Sequence, residues 1–386
     1  MRVLYPPKDR IRGLDGLRAL AALSVYGVHF NQIVRVDYHI GPFDLYRLLV
    51  NGDHGVSLFF TLSGFLLGLP FWRAMEAGKT LPSLKGYFIK RCVRIVPAYY
   101  IALTSLIVLS SLYKMPGALA DILLHYSFLF TLTEFSIFSI NPPFWTIAVE
   151  MQFYFLLPCI FVFLRRWPAW KGVIGLVVMS LAAYLLHFLL AGSISRVIAW
   201  PFQPWLIWIH PYGAVLSHSL LAFLPHFFLG LAAGCGYLQI SNKQTSYHAK
   251  IKDAAELVFW FSLVSILVIL STGLEEIIQI PHGRFSLPVV PILLTALILS
   301  APFSGFAGRC LESVPLRMLG TLSYGIYLYH FPCLAQVDRY MAKFNMDAAE
   351  HWVILALFSF LLTVLIAVVS FFVIERPLLR AARRLK

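Results

Sequence analysis

Apolar residues run through this chain in long blocks separated by short polar interruptions. Ten blocks approach span length: 14–34, 54–72, 88–112, 144–164, 172–190, 213–238, 255–272, 286–301, 318–337 and 352–374. A helix rising about 1.5 Å per residue needs roughly 20 apolar residues to cross a hydrocarbon core about 30 Å thick. Only helices and closed barrels satisfy their backbones there, and blocks this long exceed a strand. The pattern predicts an all-α polytopic membrane protein with about ten transmembrane helices. The block at 286–301 is the shortest, and Pro288 and Pro291 interrupt its start.

Two connections between blocks are long. Residues 113–143 contain ALADILLHYSFLFTL, whose apolar positions recur at helical spacing and predict a helix lying in the membrane interface. Residues 191–212 include AWPFQPWLIWIHP, whose aromatics suit the headgroup zone. No internal repeat or low-complexity linker breaks the chain. It reads as a single integral membrane domain over 1–386, with no soluble C-terminal domain after ERPLLRAARRLK.

Composition excludes a soluble globular protein. The 386 residues are 59% hydrophobic and 13% charged, against about 45–50% and about 25% in ordinary globular chains. Charge then orients the blocks. Of the 31 Lys and Arg, 23 fall in 1–13, 73–94, 165–171, 243–252, 309–317 and 376–386, all on one side; only seven lie opposite. The rule that basic loops stay inside places both termini in the cytoplasm. The net charge of +13 therefore points to membrane lipids with anionic headgroups as partners, not nucleic acid. No cleavable signal is visible, so the first block remains as a helix. Cys92, Cys159, Cys235, Cys310 and Cys333 form neither CxxC pairs nor an exterior disulfide framework, and no metal is expected.

Ionisable groups inside spans are functional candidates by default. The first block carries Arg18 and His29, eleven residues apart. That is about 16–17 Å of rise and roughly three turns, so both lie on one helical face. Asp15 sits one turn below Arg18, near the same stripe. A charge at the centre of a span costs at least about 2.5–3.5 kcal/mol, which predicts a protein interior or watery cavity around this face. Arg18 has an alternative in reaching back to the interface, and His29 in a plain helix–helix hydrogen bond.

The third block opens with GYFIKRCVRIVPAYY, which places Lys90, Arg91 and Arg94 at its cytoplasmic start. Arg91 and Arg94 share a face and offer forked donors to a polyanion; simple anchoring is the other reading. In NPPFWTIAVEMQFYFLLP, Glu150 lies about six residues, or roughly 9 Å, inside the opposite edge. It shares a face with Phe153 and Tyr154. A carboxylate so placed must be neutral or find a partner on another helix, and His29, at a similar level, is the expected one. A structural carboxylic acid bonded to a backbone carbonyl is the alternative.

Taken together, these stretches resemble the acyltransferase 3 family of integral membrane acyltransferases. GLDGLRALAALSVYGVHF carries an Arg-x10-His motif at Arg18 and His29, and GVSLFFTLSGFLLG resembles the family's second-helix signature. KRCVRIVPAYY supplies Arg-x-x-Arg at Arg91 and Arg94. FWTIAVEMQFYFLLP supplies the Trp-to-Glu-x-x-Phe-Tyr element at Trp145, Glu150, Phe153 and Tyr154. LGTLSYGIYLYHFP, with Tyr329 in place of the commoner Trp, and FFVIERP are also familial. Each motif is short, but five in order over nearly the whole chain are specific. The resemblance implies about ten helices and acyl-CoA, usually acetyl-CoA, as donor. It also implies function for the arginines, the histidine and the glutamate.

On that basis the expected function is acyl transfer from cytoplasmic acyl-CoA to a hydroxyl of a glycan or glycoside, at the outer face of a bacterial cytoplasmic membrane. Arg18, Lys90, Arg91 and Arg94 are expected to hold the donor. His29 is expected to act as general base or as a transiently acylated nucleophile, with Glu150 orienting its ring. Asp15, Ser57, Tyr154 and His330 are candidates for lining the substrate site; Ser63 in LSGF reads as a close-packing residue beside Gly64. A proton-coupled transporter of a small anionic or sugar-like solute is the rival. It lacks the internal repeat many carriers show and gives the arginine pair no role. A non-catalytic assembly protein leaves the Arg18–His29 stripe unexplained.

Overall fold

Helices make up nearly all of the regular structure among the described residues. The computed structural model describes residues 10–198, 212–272, 274 and 289–384, without the side chains of 191–198, 212–213, 243–248 and 383–384. The major helices are Leu14–Val34, His54–Glu76, Leu84–Leu109, Trp145–Leu164, Ala169–Ile198, Leu220–Thr272, Val289–Ser300, Val314–Ala342 and Trp352–Ser370. The only sheet among the described residues is a two-stranded hairpin pairing His39 with Asp44 and Ile40 with Phe43. The chain is an all-α polytopic membrane protein.

Seven helices among the described residues are long and apolar enough to cross a membrane: Leu45–Glu76, Leu84–Leu109, Pro142–Leu164, Ala169–Leu190, Ala214–Asn242, Ala249–Thr272 and Trp352–Ala382. Leu14–Val34 and Val314–Ala342 have the length but fall outside this apolar set. They are the helices that carry Arg18, His29 and His330, and they pack along each other. Their polar residues are tolerated because they face protein, not lipid.

The block at 286–301 is helical only over Val289–Ser300 among the described residues. Its 12 residues rise about 18 Å, short of a full crossing. Pro291 sits in its first turn, where a missing N–H leaves no helical bond unmade. The 113–143 connection contains the expected short helix, Ala118–Tyr126, with Leu119 and Leu123 exposed. The aromatic stretch at 199–211 lies outside the described residues.

Helical structure is unbroken from Leu220 to Thr272, but the stretch doubles back. Tyr237 packs against Phe303, while Lys252 lies against Gly305 two residues on. A straight helix would hold Tyr237 and Lys252 about 22 Å apart. The return also brings Leu270 up to accept a hydrogen bond from Asn51 at 3.0 Å. These are therefore two spans, as the two separate apolar blocks predict.

Glycines set two close approaches. Gly64 lies against the Phe227 backbone, joining His54–Glu76 to the 220–242 span. Gly320 lies against the carbonyl of Asp15, so Val314–Ala342 meets the first helix backbone to backbone. Small residues permit such contacts where lipid supplies no hydrophobic drive for association. At the same end, Arg10 bridges Asp15 (2.5 Å) and Glu312 (2.9 Å), and Glu312 accepts from the Gly13 N–H. The final span closes in a π-helical turn, Phe371–Glu375, that buries Glu375. Arg376–Arg384 then packs against the Leu84–Leu109 helix.

Candidate active site

Five helices line a cavity that is partly open to its surroundings. The first contributes Arg18, and Leu84–Leu109 contributes Arg91 and Arg94. His54–Glu76 adds Ser63 among apolar residues; Trp145–Leu164 adds Thr146, Glu150 and Tyr154; Val314–Ala342 adds Ser323, Tyr324 and Tyr327. Three guanidiniums thus face one carboxylate. Helical spacing explains the grouping, since Arg91/Arg94 and Glu150/Tyr154 each lie one turn apart on one face.

None of the three arginines makes a hydrogen bond or ion pair among the described residues. The Nε of Arg91 is buried without a partner, and its guanidinium lies 6.0 Å from the Tyr87 ring centroid. Cations left unpaired in a membrane protein's interior are costly, so this arrangement is suited to an anion.

Glu150 is otherwise engaged. Ser63 Oγ (2.7 Å) and Tyr154 OH (2.8 Å) both donate to its Oε1. Tyr324 lines the same wall and donates to the carbonyl of Ile95 at 2.8 Å. Tyr327 donates to the Pro143 carbonyl at 2.8 Å and accepts from Thr146 at 2.6 Å.

His29 does not line the cavity. Its Nδ1 lies 2.9 Å from the Val25 carbonyl and 3.1 Å from Nε2 of His330. His330 is fully buried, and its Nδ1 lies 2.7 Å from the Tyr327 carbonyl. Tyr327 separates the cavity from the histidine pair: it lines the first and packs 5.7 Å from the His330 ring.

The expected His29–Glu150 pair is therefore not formed. The carboxylate is turned toward the arginines by Ser63 and Tyr154, while His29 finds its partner on the helix packed along its own. Ser63, read from sequence as a packing residue, faces the cavity; Gly64 alone makes the close contact. Asp15 is not at the cavity, being engaged with Arg10. Lys90 is exposed and also outside it. Ser57 is buried, with its Oγ unpartnered, away from the cavity lining. Tyr324 and Tyr327, which line the cavity, are absent from the sequence-based set. The i, i+3 spacing of Tyr324 and Tyr327 was the signal that placed both on one face.

Residues 11–372 match the model of a protein family described as an acyltransferase domain. The peptidoglycan O-acetyltransferase OatA of Listeria monocytogenes is 26% identical over 95% of this chain and 56% of its own length. The putative peptidoglycan O-acetyltransferase YrhL of Bacillus subtilis is 26% identical over 95% and 55%. The O-acetyltransferase OatA of Staphylococcus aureus is 24% identical over 97% and 58%. The chain thus spans little more than half the length of each of these relatives. No solved structure matches it.

Proposed function

The chain belongs to this acyltransferase family, and from that premise we propose that it moves an acyl group, acetyl by preference, from cytoplasmic acyl-CoA to a glycan hydroxyl at the outer face of the cell membrane. The observation that carries the reading is the trio Arg18, Arg91 and Arg94, unpaired around a cavity inside the bundle. Their end of the bundle is the one rich in Lys and Arg, hence the cytoplasmic one. CoA brings the phosphates such forked donors recognise. The peptidoglycan named for two of the relatives makes a cell-wall glycan the first acceptor to test.

In this mechanism the arginines grip the phosphates and the acyl-bearing arm extends past the Tyr327 ring toward His29. His29 takes the proton of the acceptor hydroxyl as its oxygen bonds to the acyl carbon; the C–S bond breaks, and the thiolate takes that proton from His29 and leaves as the thiol. General-base help of this kind is worth about 10²–10⁴-fold. An acyl-histidine intermediate is the two-step version of the same transfer. Glu150 acts as the countercharge that keeps the arginine trio poised.

The test is acyl transfer by purified protein in nanodiscs, with acetyl-CoA and a muropeptide or glycoside acceptor, alongside CoA binding. His29→Ala should bind CoA and transfer nothing. Wild-type transfer by His29→Ala, or absence of CoA binding by the wild type, would overturn the proposal.

A further inference from the structure

Three hydrogen-bond contacts fix where the protons of the histidine pair reside. A carbonyl oxygen only accepts, so the 2.7 Å contact with Tyr327 O requires a proton on His330 Nδ1. The 2.9 Å contact with Val25 O likewise requires one on His29 Nδ1. The single N–H at His29 Nδ1 is shared between Val25 O and His330 Nε2, which lies 3.1 Å from that nitrogen. A second proton there would set two N–H groups against each other, so Nε2 presents its lone pair. The chain of donors then runs from His29 Nδ1–H to His330 Nε2, and from His330 Nδ1–H to Tyr327 O. One lone pair is left over, on His29 Nε2. His29 is half-buried whereas His330 is closed off, so that lone pair belongs to the ring a substrate can reach.

We propose that His330 is a positioning residue: through its Nε2 it holds His29 in the tautomer whose Nε2 reacts, and accepts from the imidazolium formed there. This deepens the reading of His29 as the base and rests on it. His330 takes the place that a carboxylate occupies in many histidine-based sites, the place sequence reasoning gave to Glu150. When Nε2 of His29 gains the acceptor's proton, the positive charge spreads toward Nδ1–H, which is already bonded to His330. The leaving thiolate takes that proton from His29 Nε2 and departs as the thiol, which restores the neutral pair.

The experiment compares three substitutions in nanodiscs with donor and acceptor varied. His330→Leu fills space but offers no acceptor. His330→Gln places an amide oxygen near the former Nε2, and His330→Asn reaches only toward Tyr327 O. The expected result is a kcat loss of roughly 10–100-fold in the Leu and Asn variants, with KM and CoA affinity unchanged. Gln should recover to within a few-fold of wild type. Nitrogen-15 NMR of the labelled histidines should show His29 protonated at Nδ1 and bare at Nε2. Normal kcat in His330→Leu, equal losses in folded Gln and Asn variants, or a bare Nδ1 on wild-type His29 would each overturn the assignment. If His330→Leu fails to insert, the Gln–Asn contrast and the NMR spectrum still decide. Failure of the parent reading is distinguishable, because only then does His29→Ala retain transfer.

Discussion

The hydroxyl of Ser63 donates to Oε1 of Glu150 across 2.7 Å, tying the His54–Glu76 helix to Trp145–Leu164 and turning the carboxylate away from His29. Glu150 and His29 therefore act on different parts of the proposed reaction. In transfer assays, the losses caused by His29→Ala and Glu150→Gln should be independent as far as residual activity can be followed, since residues without shared partners combine additively in free energy. A double variant no worse than His29→Ala, measured above background, would restore the direct pairing. Glu150→Gln also removes the only carboxylate lining the cavity among the described residues, so its CoA affinity should rise roughly threefold or more. Weaker CoA binding would refute that.

Arg91→Ala and Arg94→Ala should each weaken CoA binding. A charge-assisted hydrogen bond contributes about 1.5–3 kcal/mol, or about 10–150-fold in Kd. Insertion and thermal stability should be retained, since neither guanidinium has a hydrogen-bond partner to strand among the described residues. Lysine at either position should restore only part of the affinity because it lacks the fork. Isothermal titration in nanodiscs reads both quantities, and unchanged Kd in both alanine variants would return the pair to anchoring.

Orientation can be checked without substrate. In a cysteine-free background, a membrane-impermeant maleimide added outside intact cells should label single cysteines in 116–140 and spare those in 78–86. The reverse pattern would place the arginine trio at the outer face and remove cytoplasmic CoA from consideration.

Gly320→Ala should destabilise the protein and reduce transfer together. Its Cβ would press on the Asp15 carbonyl, where backbone has no room to yield, at a cost of about 1–3 kcal/mol. Gly236→Ala is the control, because its Cβ would meet only the Leu299 side chain at 3.7 Å. A fall of several degrees in melting temperature is expected for the first and little change for the second. Equal melting temperatures would show that the two helices can separate without consequence.

Apolar block length by itself determined the membrane class, the helical architecture and most span positions, because a bilayer leaves the backbone few ways to cross. Helical periodicity likewise put Arg91 with Arg94, and Glu150 with Tyr154, on common faces before any packing was known. Partnerships between helices were not legible in this way. Which side chain meets His29 depends on how the first helix packs against Val314–Ala342, through a contact as local as Gly320 on Asp15. That packing brought His330 to His29 and left Glu150 with Ser63 and Tyr154. It also drew Asp15 into an ion pair with Arg10 and turned Ser63 toward the arginines. A rise of about 1.5 Å per residue sets the level of each group along its own helix; only the rotation and approach of neighbouring helices choose its partner.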